Sequence, residues 1–81
     1  MEEILQLSTD FGVYELKVAP NSRFVNKQIS ETDFREKGFV VLAIERGHEV
    51  LTVTKATDTI LSEDVLVIFG QLKGLKSLVE G

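Results

Sequence analysis

The stretch Asp33-Phe34-Arg35-Glu36-Lys37-Gly38-Phe39-Val40 sets Arg35 and Lys37 beside a glycine and next to two apolar side chains. A guanidinium is a planar fork for phosphate or carboxylate, and an aromatic ring close to it offers a surface to a flat base. Arg35, Phe39 and Val40 are therefore candidates to hold an anionic ligand with an apolar part. The competing reading makes Arg35 a surface group paired with Glu31, Asp33 or Glu36. His48, the only histidine, stands in Arg46-Gly47-His48-Glu49, where a tight hairpin turn is expected. It is either a group that reaches a ligand or a polar residue of the kind any solvated turn carries.

Other chemistry finds no constellation. Nucleophilic catalysis needs a positioned Ser or Cys with a base and an orienting group. Cysteine is absent, and Ser8, Ser22, Ser30, Ser62 and Ser77 lie in no recognisable nucleophile context. Glu2-Glu3 and Glu63-Asp64 are neighbours in sequence, so they read as solvated surface and not as two carboxylates facing one cleft. The run Phe69-Gly70-Gln71-Leu72-Lys73-Gly74 matches neither the dinucleotide fingerprint nor the P-loop, which makes Gly70 a strand-to-helix turn. The chain reads as non-enzymatic, with no cofactor and no metal of its own. Nine basic residues against thirteen acidic ones, a net charge of −4 and no basic run argue against binding to nucleic acid or to an anionic membrane surface.

These residues need a scaffold, and 81 residues allow one small domain. Val13 to Pro20 alternates, with Tyr14, Leu16 and Val18 on one face and Glu15 and Lys17 on the other, as a half-buried strand does. Residues 1–12 are weakly patterned and read as a linker or leader, with a turn at Asp10-Phe11-Gly12. Asn26 is a candidate N-cap for a short helix whose most buried residue is Ile29. Phe34 packs beyond it, and Gly38 ends the segment. Phe39 to Ile44 is uniformly apolar, as in a central strand covered on both faces, and Glu49 to Val53 returns as its hairpin partner. Ile60 or Leu61 plugs the core, and Val65 to Phe69 is a further covered strand. Leu72, Leu75, Leu78 and Val79 form one stripe of an amphipathic closing helix, which Gly74 weakens. The sum is an α+β fold in the order β-α-β-β-β-α, with two helices packed on a mixed, mostly antiparallel sheet. The longest apolar run, six residues, is far short of the roughly 20 that cross a bilayer as a helix. The opening MEEILQL carries acid where an export signal carries base.

The ordered series YELKVAPNS, VNKQI, DFREKGFVVLAIERG, DTILSEDVLVIFG and LKGLKSLV, across residues 13–79, resembles the C-terminal domain of RCK/TrkA proteins, which places a TrkA-C-like regulatory domain at 13–81. The resemblance implies a cytoplasmic regulatory module at the inner face of the cell membrane. It would gate a potassium or cation/proton transport system as a homodimer that binds a small ligand. Implied partners are an N-terminal Rossmann-type RCK domain, not contained in this sequence, and a membrane channel or transporter subunit. No direct membrane insertion is implied. One subset of the family binds cyclic di-AMP across the dimer two-fold. By that analogy Arg35 would face phosphate, Phe39, Val40 and neighbouring apolar groups would flank the bases, and His48 and Glu49 would reach the ligand's edge. Val40 stands where some cyclic di-AMP binders carry asparagine. Asn26 and Glu63 stand where the family usually has glycine, and Thr54-Lys55-Ala56-Thr57 where it often has prolines. The alternative function is a purely structural dimerisation module with no ligand of its own.

Overall fold

The alternation around Tyr14 resolves into the second strand of an antiparallel sheet in the computed structural model, which describes residues 1–52 and 54–80. The strands are β1 (Glu2–Gln6), β2 (Phe11–Lys17), β3 (Phe39–Arg46), β4 (Glu49–Leu51) and β5 (Val65–Gln71). A 3-10 turn at Leu72–Gly74 leads into the helix α1 (Leu75–Glu80). The five strands lie in the order β1-β2-β5-β3-β4, and each neighbouring pair is antiparallel. Tyr14 and Val18 are buried and Leu16 packs beside them. Residues 1–12 supply β1 and the start of β2. The turn between them falls earlier than Asp10 to Gly12, at Ser8 to Asp10, where the Ser8 hydroxyl accepts from the N–H groups of Asp10 and Phe11.

No α-helix follows Asn26. Asn26 adopts a left-handed φ of 64°, and the chain turns repeatedly until a 3-10 segment at Ile29–Glu31. Its backbone groups are spent elsewhere. Asn26 N–H donates to the Ile60 carbonyl, Ile60 N–H to Lys27, Ile29 N–H to Asp58 and Ser30 N–H to Ala56. A helix needs those same groups for bonds four residues apart along the chain, so the cross-chain ladder excludes it. The Glu31 carboxylate accepts the Gln28 N–H at 2.8 Å, one half of a capping box on the short turn. Phe34 is fully buried and stacks on Phe24 with ring centroids 4.8 Å apart.

The core lies between one face of the sheet and the layer made by residues 18–38, residues 54–64 and α1. Ile44, Ile60, Leu66, Ile68 and Leu78 are fully buried there. Ile60 is thus the plug, while Leu61 is exposed. The strand from Phe39 is not covered on both faces: Phe39, Val41 and Ile44 point to the core, whereas Val40 and Leu42 are exposed, with a bulge between Val41 and Ala43. Nor does the closing stripe hold whole. Leu75 and Leu78 meet the core, but Leu72 and Val79 are exposed. The 3-10 turn changes the helical phase ahead of Leu75, and Gly74 is there for contact: a Cβ at Gly74 would come within 2.7 Å of the Lys37 carbonyl. Among the described residues, no helix is long and apolar enough to cross a membrane.

Candidate functional site

Arg35 sits in the turn that delivers the chain into β3. Phe34 anchors that turn in the core, the Phe39 N–H donates to the Phe34 carbonyl at 2.8 Å, and Gly38 completes it with a φ of 81°. The carboxylates expected to neutralise Arg35 are engaged elsewhere or simply do not reach it. Asp33 is held by Arg23 at 2.9 Å and by Lys37 at 3.4 Å. Burial pushes the Asp33 carboxyl up, but these two cations outweigh it and hold the group below its ordinary value. Lys37 is further tied down through its Nζ to the Ser77 hydroxyl and carbonyl. Among the described residues Arg35 enters no ion pair.

Arg35, Phe39 and Val40 line one cleft of about 430 Å³ between the start of β3, the 29–35 turn and the segment 54–56. The volume is that of a small-molecule site. Ile29, Phe34 and Val41 contribute its apolar surface. Hydrogen bonds fix the walls: the Thr54 hydroxyl donates to the Val41 carbonyl at 2.7 Å, the Thr32 hydroxyl to Ile29 at 2.6 Å, and the Ser30 N–H to Ala56 at 2.8 Å. Among the described residues no carboxylate lines the cleft, whereas two cations, Arg35 and Lys55, do. Such an arrangement can bind an anion with an apolar body. Among the described residues no cluster of three or more metal-binding side chains is assembled.

His48 and Glu49 are elsewhere. Both are exposed at the β3–β4 turn, where Gly47 has a φ of 62°, and neither lines the cleft. Val41 is the last cleft residue on β3 and Arg46 closes the strand, so at ~3.3 Å per residue roughly 17 Å separates cleft from turn, and roughly 23 Å separates the turn from Phe39 beside Arg35. Within one copy of the chain these two residues cannot share a small ligand with Arg35.

Two features escape a reading by residue type. Lys55 and Thr54 sit in what looks like a plain polar connection, and the one signal pointing to them is that prolines often occupy this stretch in the resembling family. Asp64, expected on a solvated surface, is fully buried. Its carboxylate receives Arg46 Nε at 2.9 Å, Arg46 Nη2 at 2.8 Å and the Leu61 N–H at 2.8 Å. Burial pushes its pKa up, and the Arg46 bonds with the Leu61 N–H more than reverse this, leaving Asp64 below the ordinary carboxylate value.

The TrkA-C domain profile matches residues 13–80. The chain belongs to the TrkA-C domain family. A Ktr system potassium uptake protein C from Bacillus subtilis is 34% identical over 71 residues, 86% of this chain and 31% of that protein. A probable alpha-L-glutamate ligase from Rhodopirellula baltica is 33% identical over 75 residues, 93% of this chain and 18% of that protein. The chain thus spans under a third of either relative. Its two departures from family glycines are accommodated by backbone strain at single residues: Asn26 at φ 64° and Glu63 at φ 72° take the left-handed conformation that glycine fills without cost.

Proposed function

We propose that this TrkA-C domain is a regulatory ligand-binding module of a potassium, or cation/proton, transport system, acting as a homodimer on the cytoplasmic side. The observation that carries the reading is the cleft in which, among the described residues, no acid stands and Arg35, without an ion-pair partner, lies beside Phe39 and Val40. The similarity to a potassium uptake protein supports the transport role, and the similarity to a differently named protein, a probable alpha-L-glutamate ligase, fits a module with no chemistry of its own. The ligand we assign is cyclic di-AMP, with Arg35 on phosphate and the exposed Val40 against a base, while the buried Phe39 supports that wall from the core. A two-fold ligand suits an isologous dimer, because each contact is then made twice. Regulation follows if the ligand prefers one arrangement of the dimer, and it shifts that equilibrium only by its differential affinity. His48 and Glu49 would take part only through the second copy, given their place at the far end of β3.

A thermal-shift titration with cyclic di-AMP, against AMP and ATP, tests this. Ligand at about 100 times Kd adds roughly 2.7 kcal/mol per site, which raises the melting temperature of a domain this size by on the order of 10 °C. The shift is expected to vanish in Arg35→Ala. No shift with any nucleotide would favour the second reading, a dimerisation module without a ligand. The apolar outer face of the sheet, with Phe11, Val40 and Leu42 exposed, speaks for that alternative.

A further inference from the structure

We propose that Lys55 is a second anion-binding residue of the cleft, so that the site takes an organic anion carrying at least two negative charges on an apolar body. This deepens, and rests on, the reading of the cleft as a ligand site. The chain has thirteen acidic residues to nine basic ones, yet among the described residues the cleft lining inverts that balance, with two cations and no acid. Like Arg35, Lys55 enters no ion pair among the described residues. The protons of the Thr32 and Thr54 hydroxyls are committed to backbone carbonyls. The charged donors left to meet a ligand are therefore these two.

They rise from different walls. Lys55 is presented by a turn fixed through its backbone: its N–H donates to the Asp58 carboxylate at 2.7 Å, and the next residue, Ala56, accepts the Ser30 N–H. Arg35 comes from the turn closed by Gly38, whose N–H donates to the Arg35 carbonyl at 3.1 Å. Because main-chain groups set the Lys55 wall, its side chain is free to serve a ligand without serving the fold. Two like charges bordering a shared apolar surface repel one another, and a bound anion turns that repulsion into attraction on both sides. A singly charged ligand would satisfy only one of them.

The test is calorimetric titration of the wild-type protein, Lys55→Met and Arg35→Met with cyclic di-AMP, AMP and inorganic pyrophosphate, at low and at raised salt. Methionine keeps the length and apolar stem of lysine while removing the charge. For whichever probe the wild-type protein binds, Lys55→Met is expected to weaken binding roughly fivefold, the scale of one solvent-accessible ion pair, and to flatten its salt dependence. The melting temperature without ligand should stay at the wild-type value, which separates loss of binding from loss of fold. If cyclic di-AMP binds and Lys55→Met binds it equally well with the same salt dependence, the role of Lys55 is overturned while the assigned ligand stands. If cyclic di-AMP fails but AMP or pyrophosphate binds in a Lys55-dependent way, Lys55 keeps its role and the assigned ligand falls. Binding of none of the three overturns both.

Discussion

Asp64 is the residue on which burial, charge and backbone meet. Its carboxylate is out of water, forked by Arg46 and capped by the Leu61 N–H, while Arg46 also donates to the Thr59 carbonyl at 3.0 Å. The pair therefore ties the end of β3 to the 59–64 loop. Since the folded-state pKa of Asp64 is lowered, the stability it contributes is fully present above the ordinary carboxylate value and is lost as pH falls through the folded one. Asp33 adds in the same direction. Asp64→Asn should be about 2 kcal/mol less stable at pH 7, the worth of a hydrogen bond to a charged group, and its stability should fall less steeply below about pH 4. Urea melts at a series of pH values read both effects. An unchanged acid slope in Asp64→Asn would mean that other carboxylates set it. The sequence displays Arg46 and Asp64 as ordinary charged residues eighteen positions apart, and only the folded β3–β5 pairing reveals that the second one is buried.

At the scale of elements, four of the five strands are legible, whereas β1 lies in the stretch read as a linker and the helix expected after Asn26 does not form, the latter for a physical reason. Strand signals here are local: alternation around Tyr14, and apolar runs from Phe39 and Val65. The segment after Asn26 has local helix signals too, but its N–H and C=O groups pair with residues 56–60, a non-local competitor that periodicity does not register. Sequence spacing also placed Arg35, Phe39 and Val40 near one another, and the structure sets them on one cleft. It could not supply Lys55, which reaches that cleft from a segment far along the chain. Gly70 binds elements together in a similarly hidden way. It lies within β5, not at a turn beyond it, and pairs with Phe39 across the β3–β5 ladder. A Cβ there would run into the Phe39 ring and lie 2.6 Å from the Gly38 carbonyl. Gly70→Ala should therefore cost about 1–3 kcal/mol by overpacking, readable as a lower denaturant midpoint. Because Phe39 lines the cleft, displacing its ring should also weaken ligand binding. Normal stability in Gly70→Ala would show that β3 yields readily at this crossing.

For the whole molecule, the unbalanced feature is the outer face of the sheet. An antiparallel sheet with one solvated face usually turns polar residues outward, yet here Leu5, Phe11, Val40, Leu42 and Val50 are exposed, and Phe11 stacks on Phe69 at 5.8 Å. Val13, Val65 and Val67 lie half-exposed on the same face. A domain of 81 residues has a small core and no disulfide, so covering this surface would add stability where the isolated fold has little margin. The homodimer proposed above accounts for the pattern if it is built on this face. In that case the melting temperature rises with protein concentration, since association stabilises only the folded state. A lysine at the centre of the face, Val67→Lys, should then leave a folded monomer. On a solvated strand face the same change costs little, so near-native circular dichroism with loss of the dimer in light scattering is the expected result. A dimer that survives Val67→Lys would move the interface to another surface, most directly to the exposed Leu72 ahead of α1 and Val79 within it.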